Sequence, residues 1–357
     1  MDKVYPMKAV AYREPLPVTA PDCLIDIELP DPTPTGRDLL VRVMAVSVNP
    51  VDTKIRASAA PAPGELKVLG WDAAGIVHAV GPEVTLFKPG DAVWYAGDIS
   101  RPGTNAELHL VDERIVGHKP ASLSFAQAAA LPLTTITAWE VLFDRLGVAR
   151  KLPPTAGSAG RSAHETLLII GAAGGVGSVL TQLARQLTDL TVIGTASRPL
   201  TTEWVRALGA HHVIDHRQSL MAGLQRIGVS DATPVTHVAS LTQTDQHFAA
   251  IAELIAPQGR LALIDDPLPI DVRLLKRKSV SLHWELMFTR SLYATADMIA
   301  QHQLLNEAAQ LVDAGVLRST VAEHYGAINA TNLQRAHALL ESGTARGKIV
   351  LEGFGPD

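Results

Sequence analysis

The stretch Thr166 to Leu187, TLLIIGAAGGVGSVLTQLARQL, decides how the rest of the chain is read. A short apolar run, TLLIIG, has the length of a buried strand, and SVLTQLARQL has the character of a helix. Between them stands Gly171-Ala172-Ala173-Gly174-Gly175-Val176-Gly177. A glycine-rich turn between a strand and a helix lets backbone approach a pyrophosphate and aims a helix N-terminus at it. Aligned as A-x-G-x-x-G, the turn covers Ala172, Gly174 and Gly177, with alanine in place of the first glycine of the dinucleotide fingerprint. Ala173 to Gly177 are therefore candidate cofactor-binding residues. On these residues alone, a tight turn that only packs a helix on a sheet stays open as the alternative.

Downstream the same rhythm continues: strand TVIGTAS, helix TEWVRALG, strand HHVID, then strands THVASL, RLALID and SVSLHW with helical segments between. Alternation at this spacing predicts a parallel sheet with helices on both faces, an α/β, doubly wound arrangement. The second strand runs into Ser197 and Arg198, where NAD-preferring sites place an acidic residue on the ribose 2′-hydroxyl. No carboxylate occurs there before Glu203. A hydroxyl and a guanidinium suit the 2′-phosphate of NADP(H), the cofactor these residues point to, the alternative being that Arg198 merely solvates the start of a loop.

Upstream, from Met7 to about Val116, short apolar segments separated by Pro and Gly clusters predict strands and turns, an all-β half. Phe125 to Leu146 reads as helix, Lys151 to Glu165 as a Pro-, Gly- and Ser-rich surface loop, and Leu292 to Val316 as a long helical run before a strand-like GKIVLEGF. In 357 residues, 47% hydrophobic and 19% charged, disorder is excluded and two domains are expected. The net charge of -5 and the lack of a basic run argue against nucleic acid as a partner. The single Cys23 excludes disulfides and four-cysteine zinc knots and fits a reducing compartment. With no secretory leader and no uninterrupted apolar span, a cytoplasmic protein without membrane contact is expected. His211, His212 and His216 fall on and beside one strand, whose alternation sends neighbours to opposite faces and works against a shared metal.

The chain resembles the medium-chain dehydrogenase/reductases, specifically the zinc-independent quinone oxidoreductase-like branch labelled zinc-type alcohol dehydrogenase-like. The carriers are Ser47-Val48-Asn49-Pro50-Val51-Asp52, Leu69-Gly70-Trp71-Asp72-Ala73-Ala74-Gly75, Leu133 to Ala138, the AAGGVG turn, Leu208-Gly209-Ala210 and Gly347-Lys348. The resemblance implies a β-rich GroES-like substrate domain over 1–133, completed by 307–357, and a Rossmann domain over 134–306, with NADPH in the cleft between them and a homodimer made by pairing edge strands at SVSLHW. Where zinc alcohol dehydrogenases carry a cysteine and a His-Glu pair, this chain has Asn49 and Trp71-Asp72, so no metal is expected. The resemblance also implies roles for Asn49, Asp52 and Thr137 at the reacting end, and for His216 near the adenosine 2′-phosphate. Asp265 and Phe288 would close over the nicotinamide, and Lys348 would touch the pyrophosphate. Local alternatives are a turn at Asn49, a cap at Asp52, a helix start at Thr137 and a core position for Phe288.

Without a metal nothing stabilises an alkoxide, so reduction of an electron-poor acceptor, a quinone or an α,β-unsaturated carbonyl, is the expected chemistry. Enoyl reductases of the superfamily carry a tyrosine soon after the Asn-Pro-x-Asp segment, and Lys54 to Gly70 holds none. Tyr95 and Trp71 could line the pocket. An NADPH-binding protein with little turnover and a zinc alcohol dehydrogenase are the other readings.

Overall fold

The computed structural model describes residues 6–151, 165–230 and 233–355. The loop expected over Lys151 to Glu165 lies, apart from its two ends, outside the described residues. The chain forms two compact units, one of residues 1–136 and 288–357, the other of 137–287.

The second unit is built on a six-stranded parallel sheet in the order His212–Ile214, Thr191–Thr195, Thr166–Ile170, Val235–Ser240, Ile255–Leu263 and Ser281–Trp284. Thr166–Ile170 is central and buried along its whole length, which is why it reads as an unbroken apolar run. The helix Gly175–Leu187 buries Val179, Leu180, Leu183 and Ala184, leaving Arg185 outside. Leu168, Ile170, Ile193, Val238, Ile251, Leu261 and Leu263 lie in one apolar cluster, and each large aliphatic side chain so buried contributes roughly 1.5–3 kcal/mol. Strand order reverses direction between Thr166–Ile170 and Val235–Ser240, the switch point at whose carboxyl ends such sheets bind ligands. Gly171 follows directly on that point.

In the first unit, a seven-stranded sheet runs Val321–His324, Lys348–Glu352, Asp38–Ser47, Ala73–Val80, Ala92–Tyr95 and Val116–His118, with Leu108–Asp112 also paired to Asp38–Ser47. A smaller sheet joins Ile25–Pro30, Pro6–Tyr12 and Lys67–Val68. The decisive pairing is at the carboxyl end of the chain: Lys348–Glu352 lies antiparallel to Asp38–Ser47 with Val350 opposite Ser47. Residue 348 thereby arrives beside residues 48 and 49.

Three segments differ from the sequence reading. The half expected to be all-β contains the helix Pro50–Ser58, with Asn49 as N-cap, proline in the first turn and Asp52 three residues in. Those are start signals whose local energy outweighs the strand-like surroundings. Phe125 to Leu146 is split into Phe125–Ala129, Pro132–Trp139 and a π-helical turn Glu140–Arg145. The run from Leu292 is helical only over Ala300–Asp313 beyond a short Thr289–Leu292 turn. That longer helix belongs with the first unit, because the His302 ring donates to the Val116 carbonyl at 2.7 Å. The chain's return to the first unit accordingly falls at 287/288, ahead of the 306/307 boundary, and its exit falls at 136/137.

Candidate active site

The glycine turn is shaped by positive φ and by close approach. Gly171 has φ +82°, a region that favours glycine, and its amide donates to Thr195 Oγ1 at 3.0 Å. At Gly177 a β-carbon would stand 2.5 Å from the Gly171 carbonyl oxygen and 2.6 Å from Ala172 Cα, so the helix packs on the turn only with glycine there. Gly174 is the opposite case: it is exposed, and the nearest atom to its absent β-carbon is 3.5 Å away. The first-turn amides of Gly175, Val176 and Gly177 have no acceptor within their own helix. An open glycine face beneath such amides at the switch point fits a dinucleotide pyrophosphate.

At the end of the second strand Ser197 is half-buried and Arg198 exposed at the start of the helix Pro199–Ala207. A second guanidinium, absent from the sequence reading, joins them: Arg217 donates from Nη2 to the Ser197 carbonyl at 2.6 Å and pairs with Asp215 at 2.9 Å. Its signal was the cation two residues beyond the carboxylate that directly follows the third strand. His216 packs edge-on to His247, with ring centroids 6.2 Å apart, and its Nδ1 is buried without a partner. Burial pushes its pKa down from the ordinary imidazole value. Asp265 accepts from the Thr244 amide at 2.9 Å and the Thr244 hydroxyl at 2.6 Å, so both its oxygens serve the first residue of the helix Thr244–Leu254.

The reacting-end candidates of the first unit form a buried polar knot. Asp52 Oδ2 accepts from the Asn49 amide at 2.6 Å, closing the first turn of the helix Pro50–Ser58, while Oδ1 has no partner. Burial pushes the Asp52 carboxyl up to about 7, against the hydrogen bond from Asn49 and the pull of Lys348. Asn49 Nδ2 donates to Asp72 Oδ2 at 2.9 Å, and its Oδ1 accepts from Lys348. The Lys348 ammonium also donates to the Val48 carbonyl at 2.9 Å and to Asp72 Oδ2 at 3.0 Å. Asp72 Oδ1 accepts from the Leu133 amide at 2.8 Å, at the N-terminus of the helix Pro132–Trp139 that carries Thr137. Burial raises the Asp72 pKa, and the ammonium, the Leu133 amide and the Asn49 side chain oppose the rise. A buried carboxylate at a helix start with a lysine beside it is compensated in charge and in hydrogen bonds.

Lys348 is 3% exposed, and three internal acceptors meet its three donors. The resemblance implies contact of this lysine with the pyrophosphate; here its donors are met within the first unit. Phe288 is buried and meets Trp71 edge-on at 6.3 Å, a core position. Trp71 donates to the Asp98 carbonyl at 3.2 Å. Tyr95 is fully buried, stacked on His109 with 3.1 Å between its hydroxyl and Nδ1. Thr137 is buried in its helix.

Catalytic zinc takes three protein ligands from Cys, His and carboxylates. Asn49 and Trp71 stand at two positions in question, and Asp72 already shares an oxygen with an ammonium. Cys23 lies elsewhere, its thiol on the Val18 carbonyl at 3.6 Å. Among the described residues no group of three or more His, Cys, Asp or Glu is placed to hold a metal ion. The residues do not fit zinc.

This combination of a glycine turn at the switch point of a parallel sheet with a separate β-rich unit defines a medium-chain dehydrogenase/reductase, and the chain belongs to that superfamily. Residues 35–136 match the alcohol dehydrogenase GroES-like domain and residues 208–351 the zinc-binding dehydrogenase family. More particularly, it is 39% identical over 97% of its length to a zinc-type alcohol dehydrogenase-like protein of Staphylococcus aureus (strain COL), covering 99% of that relative. A crystal structure from Rhizobium etli CFN 42, which carries the name of a zinc-dependent alcohol dehydrogenase, is 59% identical. It superposes with a TM-score of 0.92 over 99% of this chain and 100% of that one. The Escherichia coli quinone oxidoreductase complexed with NADPH is 25% identical, with a TM-score of 0.78 over 97% and 99% of the two chains. The fold is α/β, a doubly wound parallel sheet plus a GroES-like part, and the family is one of oxidoreductases. No helix among the described residues is long and apolar enough to cross a membrane.

Proposed function

We propose that the chain is a zinc-independent, NADPH-dependent oxidoreductase that transfers hydride to a small-molecule electron acceptor, a quinone or an α,β-unsaturated carbonyl. The observation that carries this reading is the knot of Asn49, Asp72 and Lys348, which puts an ammonium on Asn49 and Asp72, at positions where the resemblance implies zinc ligands in the zinc enzymes. Ala173 to Gly177 would hold the pyrophosphate on backbone amides, with Ser197, Arg198 and Arg217 supplying the hydroxyl and guanidinium groups that suit a 2′-phosphate. The reduced nicotinamide supplies the hydride when bound. The protein's own part is positioning and exclusion of water. Asn49 and Asp52 act by fixing the start of the helix Pro50–Ser58, and Thr137 is the residue we assign to the nicotinamide side. The quinone oxidoreductase named above, an NADPH complex, supports the choice of cofactor and acceptor class.

The test is loss of NADPH absorbance by chelator-treated protein with a quinone and a simple enone side by side, NADH serving as the control donor. Consumption that survives chelation and prefers NADPH supports the reading, and the faster acceptor fixes the class. Tight NADPH binding without consumption would replace it with a binding role, and activity restored only by zinc with a metal dehydrogenase. We further assign the cytoplasm as its compartment and the open edge strand Ser281–Trp284, with Trp284 55% exposed, as the surface that pairs with a second copy. Sedimentation of Trp284→Lys, monomeric where the parent is dimeric, would support the pairing, and a monomeric parent would end it.

A further inference from the structure

We propose that Lys348 is the resident cation of the knot: its ammonium takes the place of a metal ion, holding Asn49 and Asp72 together and closing the site to divalent cations. The inference rests on the zinc-free reading above but not on the choice of cofactor or acceptor. Three N–H donors meet three oxygens, those of Val48, Asn49 and Asp72, with no donor left over and 3% of the residue exposed. The Asn49 amide is thereby locked in one orientation, nitrogen to Asp72 and oxygen to Lys348. Asp72 passes the same constraint to the Leu133 amide and so to the helix Pro132–Trp139. A second cation cannot share these oxygens while the ammonium is present, because like charges at such separations repel strongly in a buried site.

What remains when the ammonium is taken away is a carboxylate, an amide oxygen and a backbone carbonyl, hard oxygen donors that suit Mn²⁺ or Mg²⁺ better than zinc. Lys348 is on this account a positioning residue, since it acts through Asn49 and Asp72, and its charge is the property that matters.

The experiment compares the parent, Lys348→Ala and the double variant Lys348→Ala with Asp72→Asn, by thermal melting at pH 7. Loss of the ammonium strands a buried carboxylate, and the single variant is expected to melt about 10 °C lower. Ethylammonium chloride, which restores N–H donors, recovers at least half of that loss, whereas tetramethylammonium chloride at equal concentration, which has none, recovers nothing. MnCl₂ raises the melting temperature of the single variant and leaves the parent unchanged. The double variant melts above the single one. A single variant that melts like the parent, or one indifferent to ethylammonium and to Mn²⁺ and no less stable than the double variant, overturns the proposal. Should the single variant not fold, the parent decides. Zinc retained at one per chain, whose chelation lowers the melting temperature, overturns the proposal, and a melting curve that neither zinc nor chelator moves supports it. None of these readouts needs turnover, so the proposal and the acceptor assignment fail separately.

Discussion

The glycine turn of one unit and the polar knot of the other solve opposite problems. At Gly171 to Gly177 side chains are nearly absent and the first-turn amides have no acceptor within their own helix, so what the turn can offer a ligand is backbone. Around Asn49, Asp72 and Lys348 charged and polar side chains meet one another, with the Val48 carbonyl and the Leu133 amide beside them, and every donor of the ammonium is already used. A region that awaits a ligand tolerates unsatisfied groups because water or ligand completes them. A buried region has no water to complete them, so the ammonium is matched in full by internal acceptors, while the carboxyl left with a bare oxygen, Asp52, is pushed up by burial.

The sharpest way to break the contrast is at the turn's tightest contact. Gly177→Val drives a β-carbon into the Gly171 carbonyl and Ala172 backbone, both under 3.0 Å. It should cost about 4 kcal/mol of stability and abolish cofactor binding, as read by denaturant melting and NADPH titration. Gly174→Ala, whose β-carbon would make only an ordinary contact at 3.5 Å, should melt within about 2 °C of the parent yet bind NADPH at least tenfold more weakly. Equal destabilisation by the two would mean that the turn is only a packing device.

Asp52 tests the closed region by pH. Its carboxyl titrates near 7 when folded against 3.8 as the ordinary value. The folded state therefore holds a proton that the unfolded chain has released. That contribution is complete below about pH 4, and is lost as pH rises through 7, on the order of 3–5 kcal/mol in all. Asp52→Asn cannot ionise and should flatten the fall in stability between pH 5 and 8, measured by urea unfolding. A parent whose stability is level across that range would show that the carboxyl titrates normally. The smallest effect is at the 2′-phosphate end: Arg198→Ala should weaken NADPH about tenfold, leave NADH binding and melting unchanged, and so lower the preference without touching the fold.

Local signals were readable in advance where one short segment contains its own cause. The glycine turn, the β/α alternation and the absence of an acidic residue after Gly194 all belong to segments of this kind. The helix Pro50–Ser58 was readable too, from Asn49, Pro50 and Asp52, but the strand-like segments around it suggested otherwise. Arg217 had only a weak signal, because its partner is the carbonyl of Ser197, twenty residues back.

The sequence by itself determined the class of fold, the glycine turn between strand and helix, and the presence of Asn49 and Trp71 where the resemblance implies zinc ligands, since periodicity, glycine conformation and residue chemistry are local properties. It did not determine what Lys348 touches. Its acceptor at Val48 is 300 residues away and comes within reach only because the last strand pairs antiparallel with Asp38–Ser47. Only tertiary structure could turn a cation near the end of the chain into the charge that balances Asp72, because burial and distance, which set the worth of a buried ion pair, do not exist along the sequence.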